Sequence, residues 1–230
     1  SGHCRGAGAR AGGPMILPFR TDAEVAAAIP QVVDHLRGGG LLGYPTETVY
    51  GLGSRAVAED LTALSELKGR PPNKPFLLLV ASRPMAEAWG LVFNTAARAM
   101  ADEFWPGPLT LVVPGGEGRL PDALRGTEGG VAVRVTSHEM IRRLIGVMAE
   151  PLTSTSANRP GTKPAPGVEA LSSVFAEAEA AAQLLILDGG VLGNVPPSTL
   201  VDCTQPRACI IRDGAIPRDE LRARVGHWAP

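Results

Sequence analysis

LLGYPTETVYGLG, residues 41 to 53, is an apolar run that ends at a proline and continues into two threonines and a glycine-rich segment. Its first five residues predict a short strand, and the remainder predicts a glycine-rich turn that could approach a ligand closely. Before it, Thr21 and Glu24 form a capping box that starts a helix, in which Pro30 predicts a kink, and glycines 38–40 end that helix. After it, an apolar stripe predicts a second helix from Glu59 to Lys68.

The same alternation of strands and helices continues to the end of the chain. Further strands are predicted at 76–80, 109–113, 131–135, 152–154, 184–187, 199–202 and 208–212, and further helices at 94–105, 138–148 (capped by Ser137), 168–182 and 216–225 (with Pro217 near its first turn). About eight strands and six helices predict an α/β fold. Because the last strands follow one another without a helix, we expect a twisted mixed sheet with flanking helices.

One domain is expected over residues 15–230, since no linker or internal repeat interrupts the pattern. Residues 1–14 contain five Gly, three Ala and no acidic residue, and precede Met15. This composition predicts a disordered or expression-derived tail.

Composition excludes several classes of protein. The 230 residues include 22 Lys or Arg and 23 Asp or Glu, which gives a net charge of −1, and 44% of residues are apolar. The apolar fraction argues against disorder, and the charge argues against a globally basic nucleic-acid binder, so any anion site must be a local cluster. The longest apolar run, 76–81, is too short to span a membrane, and a cytoplasmic protein is expected.

Common metal and nucleotide motifs do not account for the chain. The three cysteines lack the spacing of a zinc site or disulfide framework, and Cys203 and Cys209 are both interpreted as small buried residues. Residues 51–56 match a loose dinucleotide-binding pattern, but positions 67–86 contain no acidic residue to bind the ribose. No carboxylate cluster suggests a protein metal site, so no metal-ligating residue is assigned.

Cationic and hydroxyl side chains at strand ends are the informative feature. Lys68, Arg70 and Lys74 lie within seven residues, at the boundary where a predicted helix gives way to a loop. We expect Lys68 and Arg70 to lie on that loop and outside any core stripe, so truncating either to alanine should leave the fold intact. Interaction with the helix dipole explains one of these cations, whereas three around a proline-stiffened loop favour an anion clamp. Arg134 lies opposite the valines of strand 131–135 and requires an anionic partner or water, unless it faces solvent at a sheet edge.

The other candidate segments carry no functional signal when each is considered alone. Thr46, Thr110, the run STSAN at 154–158, Ser198 and Arg212 could each belong to a turn, a cap or a strand end.

Together and in this order, the segments resemble the YrdC/YciO-like family of L-threonylcarbamoyladenylate synthases. The resemblance rests on PTETVYGLG, KGRP, FWPGPLT, VAVRV, STSAN, STLVD and IIRDGAI, and extends from residue 15 to about residue 216. It implies a YrdC-like single domain with a concave basic cavity. The implied enzyme is a nucleotidyltransferase that joins L-threonine, bicarbonate and ATP, releases pyrophosphate, and supplies the t6A modification of tRNA. Downstream tRNA threonylcarbamoyl-transfer proteins would be its partners, and ATP would carry Mg²⁺ on its phosphates.

The resemblance also implies roles for individual residues. The catalytic signature would be Lys68, Arg70, Ser156 and Asn158. Threonine would contact Thr46, Ser154 and Ser198. The nucleotide would contact Arg70, Lys74, Thr110, Ser156 and Arg212, with Arg134 as a further possible contact. One departure is Leu79, which stands where some relatives have a histidine associated with the threonine pocket.

The reaction needs no protein nucleophile, because a carbamate of threonine can itself attack the α-phosphorus of ATP. Fixed cations that position two anions are sufficient. Two alternatives stay open: a module that binds double-stranded RNA or the ribosome through the same basic surface, and a carbamoyl-adenylate enzyme with another acceptor. The RNA hypothesis must contend with only ten aromatic residues for base stacking.

Overall fold

The computed structural model describes residues 15–70, 74–193, 195–226 and 228. The proposed tail at 1–14 and the two prolines of the stiffened loop, 71 and 72, lie outside the described residues. Ten strands form one mixed sheet: β1 Ile16–Pro18, β2 Leu41–Tyr44, β3 Gly51–Gly53, β4 Leu77–Leu79, β5 Leu109–Val113, β6 Val131–Arg134, β7 Leu152–Ser156, β8 Leu184–Asp188, β9 Thr199–Asp202 and β10 Cys209–Arg212.

Eight α-helices accompany the strands over the described residues: α1 Asp22–Arg37, α2 Ala58–Lys68, α3 Arg83–Ala88, α4 Thr95–Phe104, α5 Glu139–Met148, α6 Val168–Val174, α7 Ala176–Ala180 and α8 Arg218–Arg224. The predicted capping box is present at Thr21, and α1 continues through Pro30 to its end. No described helix has both the length and the apolar character needed to cross a membrane.

The mixed sheet predicted from the sequence is confirmed. The strand order is β1-β8-β2-β3-β7-β4-β6-β5-β9-β10. Four pairs are parallel, β1 with β8, β2 with β8, β4 with β6, and β5 with β9, and the other five are antiparallel. The last two strands form an antiparallel pair, as their close succession in the chain indicated.

Two apolar clusters cover the sheet unequally. One face of the β1-β8-β2 side packs on α1 and α5 through buried residues such as Leu42 and Leu185. The larger cluster covers the opposite face across the sheet and includes Leu78, Leu111 and Val133. Helices therefore leave one face of β6, β5 and β9 uncovered, whereas β4 is covered on that face at Leu79.

Several local predictions were wrong. Residues 51–53 form strand β3 instead of a turn, because they pair with both β2 and β7. A Cβ on Gly53 would lie 2.0 Å from the Thr153 carbonyl oxygen, so this glycine permits close strand packing. The loose dinucleotide pattern at 51–56 thus belongs to the sheet.

Boundaries and caps account for the other differences. His138 precedes the first residue of α5, without a side-chain cap bond, where Ser137 was expected to be the cap. The helix predicted at 168–182 divides into α6 and α7. Pro217 precedes α8 as its N-cap. Strands β1 and β3 and helix α3 were not predicted.

The cysteine prediction holds for one residue of the pair. Cys203 is fully buried in the larger core cluster, whereas Cys209 is exposed. Cys209 begins β10, an edge strand without a second neighbour in the described sheet. The expectation of a buried Cys209 was therefore wrong, because an edge strand leaves one side open to solvent.

Candidate functional site

The uncovered face of the sheet forms the floor of a cavity of about 1450 Å³. Side chains alternate across a strand, so the core takes every second residue and the cavity takes the others. On β5 the core receives Leu109, Leu111 and Val113, and the cavity receives Thr110 and Val112. On β6 the core receives Val131 and Val133, and the cavity receives Ala132 and Arg134.

The same alternation supplies the rest of the floor. Ser154 and Ser156 reach it from β7, Leu200 and Asp202 from β9, and Leu77 from β4. Loops add the walls. Its cationic lining residues are Arg70, Lys74, Arg134, Lys163 and Arg212, and its acidic ones are Glu128 and Asp202.

Lys68 organises the turn that follows β7. It is buried at the end of α2, although it was expected on a loop. Its Nζ donates to the Ser156 carbonyl oxygen at 2.5 Å, to the Asn158 carbonyl oxygen at 2.6 Å and to Asn158 Oδ1 at 2.5 Å. These three bonds occupy all three N–H donors of the ammonium group. Lys68 therefore fixes Ser156 and Asn158 from behind the cavity.

The charge on Lys68 is affected by its surroundings. Burial, with a smaller contribution from the Arg70 charge, lowers the pKa of Lys68 to about 8. The ammonium form therefore still predominates at neutral pH, and it is the form that can donate three bonds.

Arg70 lies on the cavity wall. Its Nε donates to the Lys74 carbonyl oxygen at 2.7 Å, and its two terminal nitrogens donate to Thr155 Oγ1 at 2.8 Å and to the Pro75 carbonyl oxygen at 2.7 Å. The guanidinium also lies 4.8 Å from the centre of the Phe76 ring. Since a guanidinium has five N–H donors, two remain for an anion. Burial lowers the pKa of Arg70 but leaves it charged at neutral pH.

Three further lining residues, from β5, the position just before β9 and the end of β10, contact one another. Thr110 Oγ1 and Ser198 Oγ lie 2.8 Å apart, and both residues are buried. Arg212 donates to the Ser198 carbonyl oxygen at 2.8 Å. The parallel pairing of β5 with β9 and the antiparallel pairing of β9 with β10 bring these residues together.

Thr46 closes the loop between β2 and β3. Its hydroxyl donates to the Val49 carbonyl oxygen at 2.7 Å and accepts from the Thr48 and Val49 amides. It borders the same cavity as Ser154. Leu79, by contrast, is fully buried in the cluster with α1 and α5, so it has a packing role beyond the cavity.

Nearly all of the residues singled out in the sequence surround this one cavity. They are Thr46, Arg70, Lys74, Thr110, Arg134, Ser154, Ser156, Asn158, Ser198 and Arg212. Lys68 lies one contact away, through Ser156 and Asn158.

Glu47 was not singled out from the sequence. Its Oε2 lies 3.6 Å from a terminal nitrogen of Arg134 and accepts a hydrogen bond from Thr136 Oγ1. A carboxylate between two threonines, in a segment with few other charges, was the available signal. Within the described part of the chain, no group of three or more His, Cys, Asp and Glu side chains forms a metal-binding cluster.

The chain is similar in sequence to proteins of one known family. The Sua5/yciO/yrdC family model, described as "Telomere recombination", matches residues 34–214. A Chromohalobacter salexigens protein named threonylcarbamoyl-AMP synthase is 39% identical over 180 residues, which cover 78% of this chain and 94% of that protein. A Pyrococcus abyssi protein of the same name is 35% identical over 194 residues, covering 83% of this chain and 55% of that one. This chain therefore spans little more than half of the Pyrococcus relative.

Solved structures give the same relationship. Pyrococcus abyssi Sua5 complexed with L-threonine superposes with a TM-score of 0.83 at 32% identity, over 93% of this chain and 61% of that chain. Escherichia coli YciO superposes with a TM-score of 0.75 at 25% identity, over 86% of this chain and 95% of that chain.

Proposed function

This chain belongs to the Sua5/yciO/yrdC family, and from that membership we propose that it synthesises threonylcarbamoyl-AMP from L-threonine, bicarbonate and ATP. The observation that carries the proposal is the single cavity, in which the strand-end hydroxyls and cations of seven separate sequence segments meet. Such a site suits the joining of a nucleoside triphosphate to a small hydroxylated amino acid.

The chemistry needs positioning more than a protein nucleophile. The amine of threonine adds to CO₂ derived from bicarbonate and loses a proton, which gives a carbamate. A carbamate oxygen then bonds to the α-phosphorus of ATP, the bond between the α-phosphorus and the bridging oxygen breaks, and pyrophosphate leaves. Both reactants are anionic, so fixed cations reduce their repulsion and stabilise the charge that develops in the transition state.

Individual residues divide this work. Arg70 and Arg212 retain free N–H donors and would bind phosphate oxygens, with Lys74 at the rim. Thr110 and Ser156 would add hydroxyl contacts to the nucleotide, and Thr46, Ser154 and Ser198 would contact threonine. Lys68 and Asn158 would hold Ser156 in place, because both bond within that turn.

ATP would bring Mg²⁺ bound to its phosphates. The donor set of the cavity favours this arrangement, since its cations outnumber its carboxylates and suit a triphosphate better than a bare ion. When bound, Mg²⁺ supplies charge neutralisation on the phosphates. The adenylate would pass to proteins that transfer the threonylcarbamoyl group to tRNA.

A pyrophosphate-release assay tests the proposal. We expect release from ATP only when both threonine and bicarbonate are present, and formation of threonylcarbamoyl-AMP detectable by mass spectrometry. Release that is indifferent to threonine would overturn the assignment. A panel of other amino acids in the same assay distinguishes threonine from another acceptor, and salt-sensitive binding of duplex RNA without turnover would favour the RNA-binding alternative.

A further inference from the structure

Arg134 is a buried cation with few partners. It is 4% exposed and lines the cavity floor. Its Nε is buried without a hydrogen-bond partner, and its one ion pair among the described residues is the 3.6 Å approach to Glu47. A guanidinium has five N–H donors, and buried donors are nearly always satisfied. The unpartnered Nε and the single ion pair of this guanidinium therefore indicate a further partner, a ligand that supplies anionic oxygens from the cavity.

The position of Arg134 explains its burial. Arg134 pairs in register with Leu79, which packs under α1 and α5, and its neighbour Ala132 lies on the cavity floor. Arg134 thus stands where the helical cover of the sheet ends and the cavity begins. A long flexible side chain at such a boundary can adopt several rotamers, so Arg134 needs a partner that fixes the rotamer directed into the cavity.

Glu47 is itself fixed in front of Arg134. Thr136 Oγ1 donates to Glu47 Oε2, and the Ser137 amide lies 3.3 Å from Oε1. Thr136 Oγ1 also accepts from the His138 amide at 3.2 Å, which ties the carboxylate to the start of α5. The Glu47 side chain is 16% exposed, so water screens its charge only in part.

We infer that Glu47 is a positioning residue. Its carboxylate orients the Arg134 guanidinium so that the remaining N–H donors of Arg134 can bind an anionic group of a substrate. The inference rests on the proposed function and adds to it a residue that does not itself contact the reacting atoms. The anionic group is either a phosphate of ATP or the carboxylate of threonine, because each presents two anionic oxygens that a guanidinium can bind at once.

The pairing also sets the charge that the substrate meets. Glu47 offsets the charge of Arg134, and Arg212 is close enough for the Arg134 charge to contribute to lowering its pKa. Without Glu47, the repulsion between these two arginines would lose the carboxylate that partly offsets it. Loss of the carboxylate therefore changes both the direction of one arginine and its repulsion of another.

A double-mutant cycle on kinetics tests the inference. Glu47→Gln keeps an oxygen that can accept from Thr136 but removes the negative charge. We expect kcat/KM to fall about tenfold in Glu47→Gln, with thermal unfolding close to wild type. In an Arg134→Gln background, Glu47→Gln should have less than about a twofold further effect, because its role passes through Arg134. Glu139→Gln, an exposed residue in the first turn of α5, is the charge-matched control and should resemble wild type.

The substrate dependence identifies the anion. A rise confined to the KM for ATP assigns Arg134 to a phosphate, and a rise confined to the KM for threonine assigns it to the carboxylate. Wild-type kinetics in Glu47→Gln, or an equal loss in both backgrounds, would overturn the inference.

Binding measurements separate this inference from the proposed function. If the wild-type protein binds ATP or threonine in calorimetry but makes no adenylate, the proposed function fails and the cycle can be repeated on binding affinity. If the wild-type protein makes the adenylate but the effects of Glu47→Gln and Arg134→Gln on kcat/KM are additive, only the positioning role of Glu47 fails.

Discussion

Lys68 and Arg70 are two residues apart in the chain, yet their side chains have different surroundings. Lys68 uses its three donors within the protein, whereas Arg70 keeps two donors on the cavity wall. The expectation that both can be truncated without harm to the fold followed from placing both on a loop. For Lys68 that placement was wrong, since the residue is buried at the end of α2.

Lys68→Met should therefore lower the free energy of unfolding by about 2 kcal/mol, because the Ser156 and Asn158 oxygens would lose their donor. Activity should fall as well, through misplacement of Ser156. Chemical denaturation with the activity assay measures both. Lys74→Met is the matched control, because Lys74 is exposed, and its stability should stay within about 0.5 kcal/mol of wild type. Unchanged stability in Lys68→Met would contradict the anchoring role.

The two described cysteines should differ in reactivity. Burial, with a smaller effect from Asp202, raises the pKa of Cys203 to about 12. Its thiolate fraction at about pH 8 is then on the order of 10⁻⁴, and the group is also shielded from reagents. In a Cys4→Ser background, alkylation of the native protein should label Cys209 alone, and denaturation should expose a second thiol. Two rapidly labelled thiols in the native protein would refute this prediction.

At the scale of elements, β3 depends on glycine where it passes β7. Gly53→Ala would place a methyl carbon 2.0 Å from the Thr153 carbonyl oxygen, so the two strands must separate. We expect a loss of about 3 kcal/mol in the free energy of unfolding.

Gly146→Ala is the natural control for that experiment. Gly146 lies in the last turn of α5 with no atom within 4 Å of an added methyl group. Because alanine favours a helix over glycine, this variant should gain about 0.5–1 kcal/mol. Thermal unfolding of both variants compares the two effects, and equal melting temperatures would contradict the close packing of β3 on β7.

The whole molecule is nearly neutral, but its charges are unevenly distributed. The net charge is −1, whereas five cationic and two acidic side chains line the cavity. Low-dielectric walls focus such a local excess on an entering anion.

Added salt should therefore weaken the binding of ATP more than the binding of threonine. Raising KCl from about 0.05 M to about 0.5 M shortens the screening length severalfold. The KM for ATP should rise about fivefold or more, while the KM for threonine, a zwitterion, should change less than about twofold. Steady-state kinetics at fixed pH measures both. Equal changes in the two constants would argue against a role for the cavity charge in binding ATP.

Local rules in the sequence determined most helices and strands of this protein, because capping, glycine stops and the period of apolar residues act over a few neighbours. Ordered motifs also determined which side chains to examine, and alternation along VAVRV already separated Arg134 from its valines. Short elements escaped prediction: β3 is three residues of glycine and leucine whose pairing on both sides makes it a strand.

Tertiary structure alone decided which residues touch. Lys68 and Ser156 are 88 residues apart, and Glu47 and Thr136 are 89 apart. These contacts form only once strands distant in sequence pair across the sheet and helices cover one part of a face while leaving the rest open. The division of labour between Lys68 and Arg70, and the approach of Glu47 to Arg134, depend on that long-range pairing, which no local pattern of residues encodes.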